Sequence, residues 1–154
     1  MNLRNRPSCS SFNRRFFAFS SPLLSVVATT GLAATITVNN NADSSTGSLR
    51  SALASAANGD AIVFSLTLPT TITLTSGQLN VSTNVGILGP GAASLAVNAG
   101  GSNRVFHVAP LTTVTIAGLT ITNGNIAGGY PADGGGGIHN DHATLIGGGG
   151  HTPQ

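Results

Sequence analysis

The chain has 154 residues, a formal net charge of +2 and a sequence pI near 9.5, yet only 6% of its residues are charged. Apart from His, every basic residue is Arg and every acidic residue is Asp, since Lys and Glu do not occur. This excludes a P-loop lysine, a Schiff-base lysine and a His-Glu-x-x-His zinc helix, and the 21 glycines indicate a β-rich, turn-rich protein.

Residues 1–33 have the order of an export signal. Four of the six arginines lie in the first fifteen residues, and an apolar stretch follows over residues 16–32. The Gly-Leu-Ala sequence that ends at Ala33 places small residues where a signal peptidase reads them. We therefore expect a signal peptide cleaved after Ala33, with cleavage after Ala34 as the alternative.

Two other interpretations of this segment are weaker. Arg14-Arg15 resembles the twin-arginine export motif, but Ala18 and Phe19 stand where that motif prefers Leu and Lys, which favours Sec export. An uncleaved anchor would need roughly 20 apolar residues, and Pro22 interrupts a shorter stretch. The sequence predicts an extracellular or outer cell-surface location, with membrane contact only transiently through the signal segment.

The basic character of the chain belongs to the predicted signal. After cleavage, two arginines (Arg50 and Arg104) and four aspartates remain, and the formal charge becomes −2. Because no basic cluster remains, we expect no nucleic-acid partner. Cys9 is the only cysteine and also lies in the signal, so the cleaved chain has no disulfide and no thiol nucleophile.

The cleaved chain begins with a predicted strand, Thr35–Val38, and a predicted cap helix at about residues 48–57. Leucine and alanine recur at helical spacing in the second segment, and Ser48 stands where an N-cap is expected. Asn58-Gly59 provides left-handed residues that would end the helix.

After the helix, the sequence consists of short β-branched runs separated by Gly, Asn, Pro or Ser. The runs are Ala61–Phe64, Thr71–Leu74, Leu79–Val81, Val85–Leu88, Leu95–Asn98, Val105–Val108, Val114–Ile116 and Leu119–Thr122. Sandwich strands are commonly longer and joined by hairpins, whereas short strands with polar corners are typical of a parallel β-helix.

A weak internal repeat supports stacked coils. Val85–Gly89 and Val114–Gly118 share one pattern and lie 29 residues apart. Inward Val, Ile and Leu would then form ladders of like residues between coils. We also expect Asn98, Asn123 and Asn140 to occupy turns, in the left-handed region, and to bond their stacked neighbours.

Several segments, in this order and spacing, resemble the amino-terminal part of secreted bacterial right-handed parallel β-helix proteins. These are pectin-lyase-like repeat proteins with a Ser-Leu-Arg N-terminal cap helix, related to the polymorphic outer-membrane protein group. The segments are Gly47–Arg50 with Ala52-Leu53, Asn58–Asp60, Ile62–Phe64, Ile72–Leu74, Ile87–Gly91, Arg104–Phe106 and Gly118–Gly124. The resemblance covers about residues 35–142 and implies an all-β, right-handed parallel β-helix with a short capping helix.

We assign residues 34–145 to the N-terminal segment of such a β-helix, of about four coils. Gly135–Asn140 resembles the start of a further coil, but residues 146–154 form a Gly-rich tail instead of continuing the pattern. An open last coil would expose a sheet edge and could self-associate. The sequence leaves open a truncated or frameshifted reading frame and a small protein whose tail is disordered.

The histidines near the end of the chain suggest a metal site that other features argue against. His139, Asp141, His142 and His151 are close in sequence, but a catalytic zinc needs three rigidly placed ligands, and glycines surround these residues. The glycine runs are not a phosphate loop because no Lys follows them, and His139 stands where the repeat-type calcium signature requires Asp. We predict no metal and no cofactor.

The other candidate residues favour structural roles. His107 is expected to face outward from a strand, and Arg50 is expected to pair with Asp43 or Asp60 or to bind a carbonyl. Arg104 follows a Gly-rich turn and is expected at a solvated corner. The four aspartates are spread along the chain, so no catalytic carboxylate pair is evident, and no catalytic residue is assigned.

These observations predict an exported structural or surface-interaction module, adhesin-like and without catalysis. Its face of Thr, Ser and Asn would present hydrogen-bonding groups to a polysaccharide or another cell-surface polymer. The alternatives are a remnant of a carbohydrate-active β-helix enzyme, either a polysaccharide lyase or a glycoside hydrolase, and a nonfunctional truncated product.

Overall fold

The computed structural model describes residues 32–126 and 135–148. Up to residue 122, short strands and one helix follow the order that the sequence predicts, and two further strands lie in residues 138–148. They are β1 (Thr35–Val38), α1 (Leu49–Ser55), β2 (Asp60–Phe64), β3 (Thr70–Thr73), β4 (Leu79–Val81), β5 (Val85–Leu88), β6 (Leu95–Asn98), β7 (Phe106–Val108), β8 (Thr113–Ala117), β9 (Thr120–Thr122), β10 (Ile138–Asn140) and β11 (Thr144–Gly148).

The strands form three parallel sheets. The first has the order β1-β2-β5-β8-β11, the second β3-β6-β9 and the third β4-β7-β10. Consecutive strands from β2 onward enter the three sheets in rotation, so the chain winds as a parallel β-helix, and the predicted all-β fold class is confirmed. Three turns are complete where about four coils were expected, and β1 and β11 add a single strand at each end of the first sheet.

The register confirms the repeat and the predicted ladders. Val85 pairs with Val114, the same 29-residue offset that the sequence pattern shows. In the core of the first sheet, one isoleucine stacks on the next through four strands, Ile36, Ile62, Ile87 and Ile116. Each β-branched side chain therefore packs on a copy of itself, which suits the stiff, pleated surface of a strand.

A pair of repeat-equivalent glycines lets neighbouring turns approach closely. A Cβ atom at Gly89 would overlap the carbonyl of Gly118, and a Cβ atom at Gly118 would overlap the carbonyl of Gly89. Gly118 also has a φ of +65°, which side-chain-bearing residues rarely adopt. The amide of Gly91 donates to the carbonyl of Gly118 at 2.8 Å, so the corner is held by backbone hydrogen bonds.

Helix α1 lies against the first turn, where it contacts β1 and β4. Ser48 is its N-cap, as predicted, and its Oγ accepts from the amide of Ser51 at 3.2 Å. The prediction was wrong at the other end. The helix ends at Ser55 because Ala56 is extended, and left-handed Gly59 (φ +94°) belongs to the turn that enters β2.

The predicted asparagine turns are only partly confirmed. Asn123 has a left-handed φ of 53°, whereas Asn98 and Asn140 end strands β6 and β10 without entering that region. Two other asparagines, at corners, form hydrogen bonds between turns. Asn58 Oδ1 accepts from the amide of Asn84 at 2.9 Å, and Asn84 Oδ1 accepts from the amide of Thr113 in the next turn at 2.7 Å. A local sequence pattern did not distinguish strand ends from corners.

Parts of the predicted domain division fall outside the described residues. The signal segment lies outside them up to residue 31, and the end of the chain lies outside from residue 149. Strand β11 continues to Gly148 and pairs with β8, so the first three residues of the Gly-rich segment 146–154 are in a strand. In the described ranges, no helix has the length and apolar character needed to cross a membrane.

Candidate functional site

An ion pair joins the cap helix to the loop before it. Arg50, in the first turn of α1, donates from Nε and Nη2 to Asp43 Oδ1 at 3.1 and 2.6 Å. Its Nη1 and Nη2 also donate to the carbonyls of Gln78 and Gly77, both at 2.8 Å. The sequence predicted Asp43, Asp60 or a carbonyl as the partner of Arg50. Arg50 binds Asp43 and two backbone carbonyls, and it does not pair with Asp60.

The second oxygen of Asp43 binds the loop between β3 and β4. Asp43 Oδ2 accepts from Thr75 N and Thr75 Oγ1, each at 3.1 Å, and from Ser76 N at 2.7 Å. Burial alone would raise the pKa of this carboxyl, but hydrogen bonds from Ser76, Arg50 and Thr75 outweigh burial and hold the pKa well below its usual value. A carboxylate with five donors is a structural clamp.

A second buried carboxylate, Asp60, lies where other turns of the first sheet have an apolar residue. Asp60 pairs with Val85, which pairs with Val114, so all three occupy one inward ladder. Its Oδ1 accepts from the amide of Ala34 and its Oδ2 from the amide of Ala57, both at 2.8 Å. These two hydrogen bonds lower the pKa of Asp60.

Two of the histidines stack on the outer face of the third sheet. His107 on β7 is half-buried between two buried residues, facing outward as predicted, and pairs with His139 on β10. Their ring centroids are 5.3 Å apart and the rings are inclined by 12°. This stacking places the rings face to face, which is not the arrangement of two ligands converging on one ion.

The other residues considered as candidates are dispersed. His142 Nδ1 lies 2.9 Å from Asp141 Oδ1 at the surface, and the described residues contain no cluster of three side chains that could hold a metal. Arg104 lies just before β7, as predicted, and is partly exposed with an interaction partner. His151 and Asp133 lie outside the described residues.

An open groove runs beside the second sheet. It is lined by residues of β3, of β6 and of the loops before these two strands: Pro69, Thr70, Thr71, Ala92, Ala93, Ser94, Leu95 and Ala96. Its volume is about 460 Å³, within the range of ligand-binding clefts. A smaller hollow of about 250 Å³ adjoins it through Thr70 and is lined by Asn39, Asn40, Asn41, Ser65, Leu66 and Thr67. We call the two together the neutral groove.

The chemistry of the neutral groove is uniform. Its lining residues include no ionisable side chain and combine Thr, Ser and Asn with small apolar residues. Two contacts fix its walls: Asn41 Nδ2 donates to Thr70 Oγ1 at 3.1 Å, and Thr120 Oγ1 donates to the carbonyl of Ala92 at 2.7 Å. Such a surface can exchange hydrogen bonds with a neutral ligand without the desolvation cost of a buried charge.

The sequence predicts the kind of side chain in this groove but not its position. Pro69 and Ala93 come together only because β3 pairs with β6 one turn later, with Thr70 opposite Leu95. The usable signal was the repeated Thr on the outward positions of β3 and β9, next to the stacked strands. Comparisons with protein-family models, curated proteins and solved structures found no match for this chain.

Proposed function

We propose that this chain is an exported, non-catalytic β-helix module that binds a neutral, hydroxyl-rich polymer such as an uncharged polysaccharide. The observation that carries the proposal is the neutral groove, because its walls offer hydroxyl, amide and small apolar groups and no charge. The proposal includes an adhesin-like role at the cell surface, in a protein of the pectin-lyase-like repeat type with a cap helix.

The solenoid suits a repetitive ligand. Strands of successive turns lie about 4.8 Å apart, so each turn presents its side chains at a constant interval along the axis. Thr71 pairs with Ala96 and Ala96 with Thr120, which aligns the outward positions of three turns in one row beside the groove. A polymer with a repeating pattern of hydroxyl groups gains several weak contacts at once, and these add as in multivalent binding.

Two of the three described aspartates support binding rather than hydrolysis, and the third, Asp141, lies at the surface beside His142. Asp43 and Asp60 are both committed to backbone and arginine donors, and each belongs to the cap region. A glycoside hydrolase needs two carboxyl groups roughly 5–10 Å apart that face the same bond. The hydrogen bonds also lower the pKa of both carboxyls, which makes each a weaker general base.

The proposal is tested by sedimentation of the exported protein with insoluble neutral polysaccharides and by affinity electrophoresis with soluble ones. We expect retention by neutral polymers and weaker retention by polygalacturonate, because the module itself is mildly acidic. Ala93→Arg introduces a large cation into the groove and should abolish retention. Ala54→Arg makes the same change on the exposed face of α1 and should leave retention unchanged.

Equal retention of the two variants would contradict binding in the groove. The same polymers, with and without Ca²⁺, should also be checked for release of reducing ends or unsaturated products. Steady product release by the unsubstituted protein would overturn the non-catalytic proposal and favour a polysaccharide lyase or hydrolase. Asp133→Ala is the first variant to make in that case, since Asp133 is the one carboxylate outside the described residues.

A further inference from the structure

Asp60 is a carboxylate in a position that the fold otherwise fills with an apolar side chain. It is buried and heads the inward ladder whose next members are Val85 and Val114. Strand β1 pairs Thr35 with Ala61, which sets Ala34 beside Asp60 at the end of the sheet. The ladder therefore ends in a negative charge next to a backbone nitrogen.

This carboxylate has no cation against it in the described part of the chain. Asp43 has the guanidinium of Arg50, but the partners of Asp60 are the amides of Ala34 and Ala57. A buried carboxylate is costly unless charge or hydrogen bonds compensate it, and two neutral amides compensate it only in part.

We propose that Asp60 is the binding site for the α-ammonium group of Ala34, formed when the peptide bond between Ala33 and Ala34 is hydrolysed during export. In that step the C–N bond breaks, the hydroxyl of water goes to the Ala33 carbonyl, and the released amine takes a proton. The nitrogen that donates to Asp60 Oδ1 at 2.8 Å then carries a positive charge. This inference rests on the export part of the proposed function.

The geometry distinguishes the two cleavage positions that the sequence allows. The carbonyl of Ala34 accepts from the amide of Ala61 at 2.8 Å, which holds Ala34 in the sheet whether or not a residue precedes it. Cleavage after Ala33 keeps the nitrogen of Ala34 as the new terminus. Cleavage after Ala34 removes that nitrogen, and Asp60 Oδ1 loses its donor. Asp60 binds the terminus that cleavage leaves and does not select the cut.

Cleavage turns a hydrogen bond between a neutral amide and a carboxylate into an ion pair. The oxygen is already charged before cleavage, and the ammonium adds a full positive charge and up to three donors. The pKa of the amine rises above that of an unfolded terminus, which is about 7.7–8.0. The ion pair stabilises the fold fully below that pH, and the stabilisation is lost as the pH rises through the higher, folded-state pKa.

The test uses the full chain expressed in an exporting host. Mass spectrometry of the secreted protein identifies its first residue, and NMR titration of the α-amine gives its pKa in the unsubstituted protein, in Asp60→Asn and in Asp141→Asn. We expect Ala34 as the first residue, and an α-amine pKa above that of a peptide with the same first five residues. Asp60→Asn should return the pKa to the peptide value, and Asp141→Asn should not change it.

Thr35 as the first residue would overturn the inference and leave the predicted export signal intact, whereas an uncleaved chain would overturn both. A protein that begins at Ala34 but titrates like the peptide would overturn the inference alone. The peptide comparison is sufficient even where Asp60→Asn does not fold. Polymer retention is tested with variants at other residues, Ala93 and Ala54. Its outcome therefore neither supports nor contradicts the binding of the terminus by Asp60.

Discussion

Arg50 and Asp43 join three segments of the first turn through one ion pair. Asp43 lies in the loop before α1 and its side chain is 5% exposed, whereas Arg50 lies on α1 and its side chain is 26% exposed. Together they bind the loop of residues 75–78 through its amides and carbonyls. The cap helix is therefore attached to the solenoid by polar contacts as well as by buried Leu49 and Leu53.

Replacing Arg50 should destabilise the protein strongly. In Arg50→Leu, Asp43 becomes a buried charge without a cation, and two carbonyls lose their donor, which costs about 3 kcal/mol, the lower end for a broken buried pair because Arg50 is partly exposed. Arg50→Lys should recover only part of the loss because an ammonium lacks the planar fork. Urea unfolding measures both. Stability unchanged from that of Ser51→Ala, an exposed neighbour, would contradict the clamp.

The stability of the cap should depend on acid pH. The pKa of Asp43 is lowered in the folded state, so its contribution is full above the unfolded value near 3.9 and is lost as the pH falls toward the lower, folded value. Thermal unfolding from pH 6 to pH 2 should show a decline that is smaller in Asp43→Asn than in the unsubstituted protein. Parallel declines of the two proteins would contradict this account.

Gly89 should not tolerate substitution, because it lies so close to Gly118. A Cβ atom in Gly89→Ala meets a backbone carbonyl, which cannot move as a side chain can, and we expect a loss of about 2 kcal/mol. Gly86→Ala is the matched control, since a Cβ atom there meets open space and the change should be neutral or slightly stabilising. Differential scanning calorimetry compares them; equal melting temperatures would be inconsistent with this packing.

The isoleucine ladder should dominate core stability. Ile87 is fully buried between Ile62 and Ile116, so Ile87→Ala should cost about 3 kcal/mol from lost burial and the cavity it leaves. Leu88, the next residue, is 43% exposed, and Leu88→Ala should cost less than about 1 kcal/mol. A reversed order in urea unfolding would mean that β5 presents the other face to the core.

The sequence predicted the strands well because their signal is local. Each run of β-branched residues bounded by Gly, Asn or Pro corresponds to a strand, and the 29-residue repeat is the observed register between β5 and β8. The cap helix was also recognisable, since Ser48 and the spacing of buried Leu49 and Leu53 lie in one short segment. Elements that are determined by a few neighbouring residues could therefore be predicted from the sequence.

Features that depend on contacts between successive turns could not be predicted from the sequence alone. The neutral groove needs Pro69 and Ala93 from successive turns, and the Asp60 site needs a strand that pairs 26 residues earlier, at Thr35 and Ala61. The sequence shows Asp60 only as one of four dispersed aspartates and as a candidate partner of Arg50, because its inward position follows from register. The end of α1 was misplaced because Gly59 serves the turn into β2.

The most direct test of the stacked-coil account is a disulfide between neighbouring turns. Gly86 and Thr115 are register partners on the outer face, about 4.8 Å apart in a parallel sheet, within reach of a disulfide. In a Cys9→Ser background, Gly86→Cys with Thr115→Cys should cross-link on mild oxidation. Gly86→Cys with Thr113→Cys should not, because an offset of two residues places them about 8 Å apart. Equal cross-linking of both pairs, or of the second alone, would contradict the account.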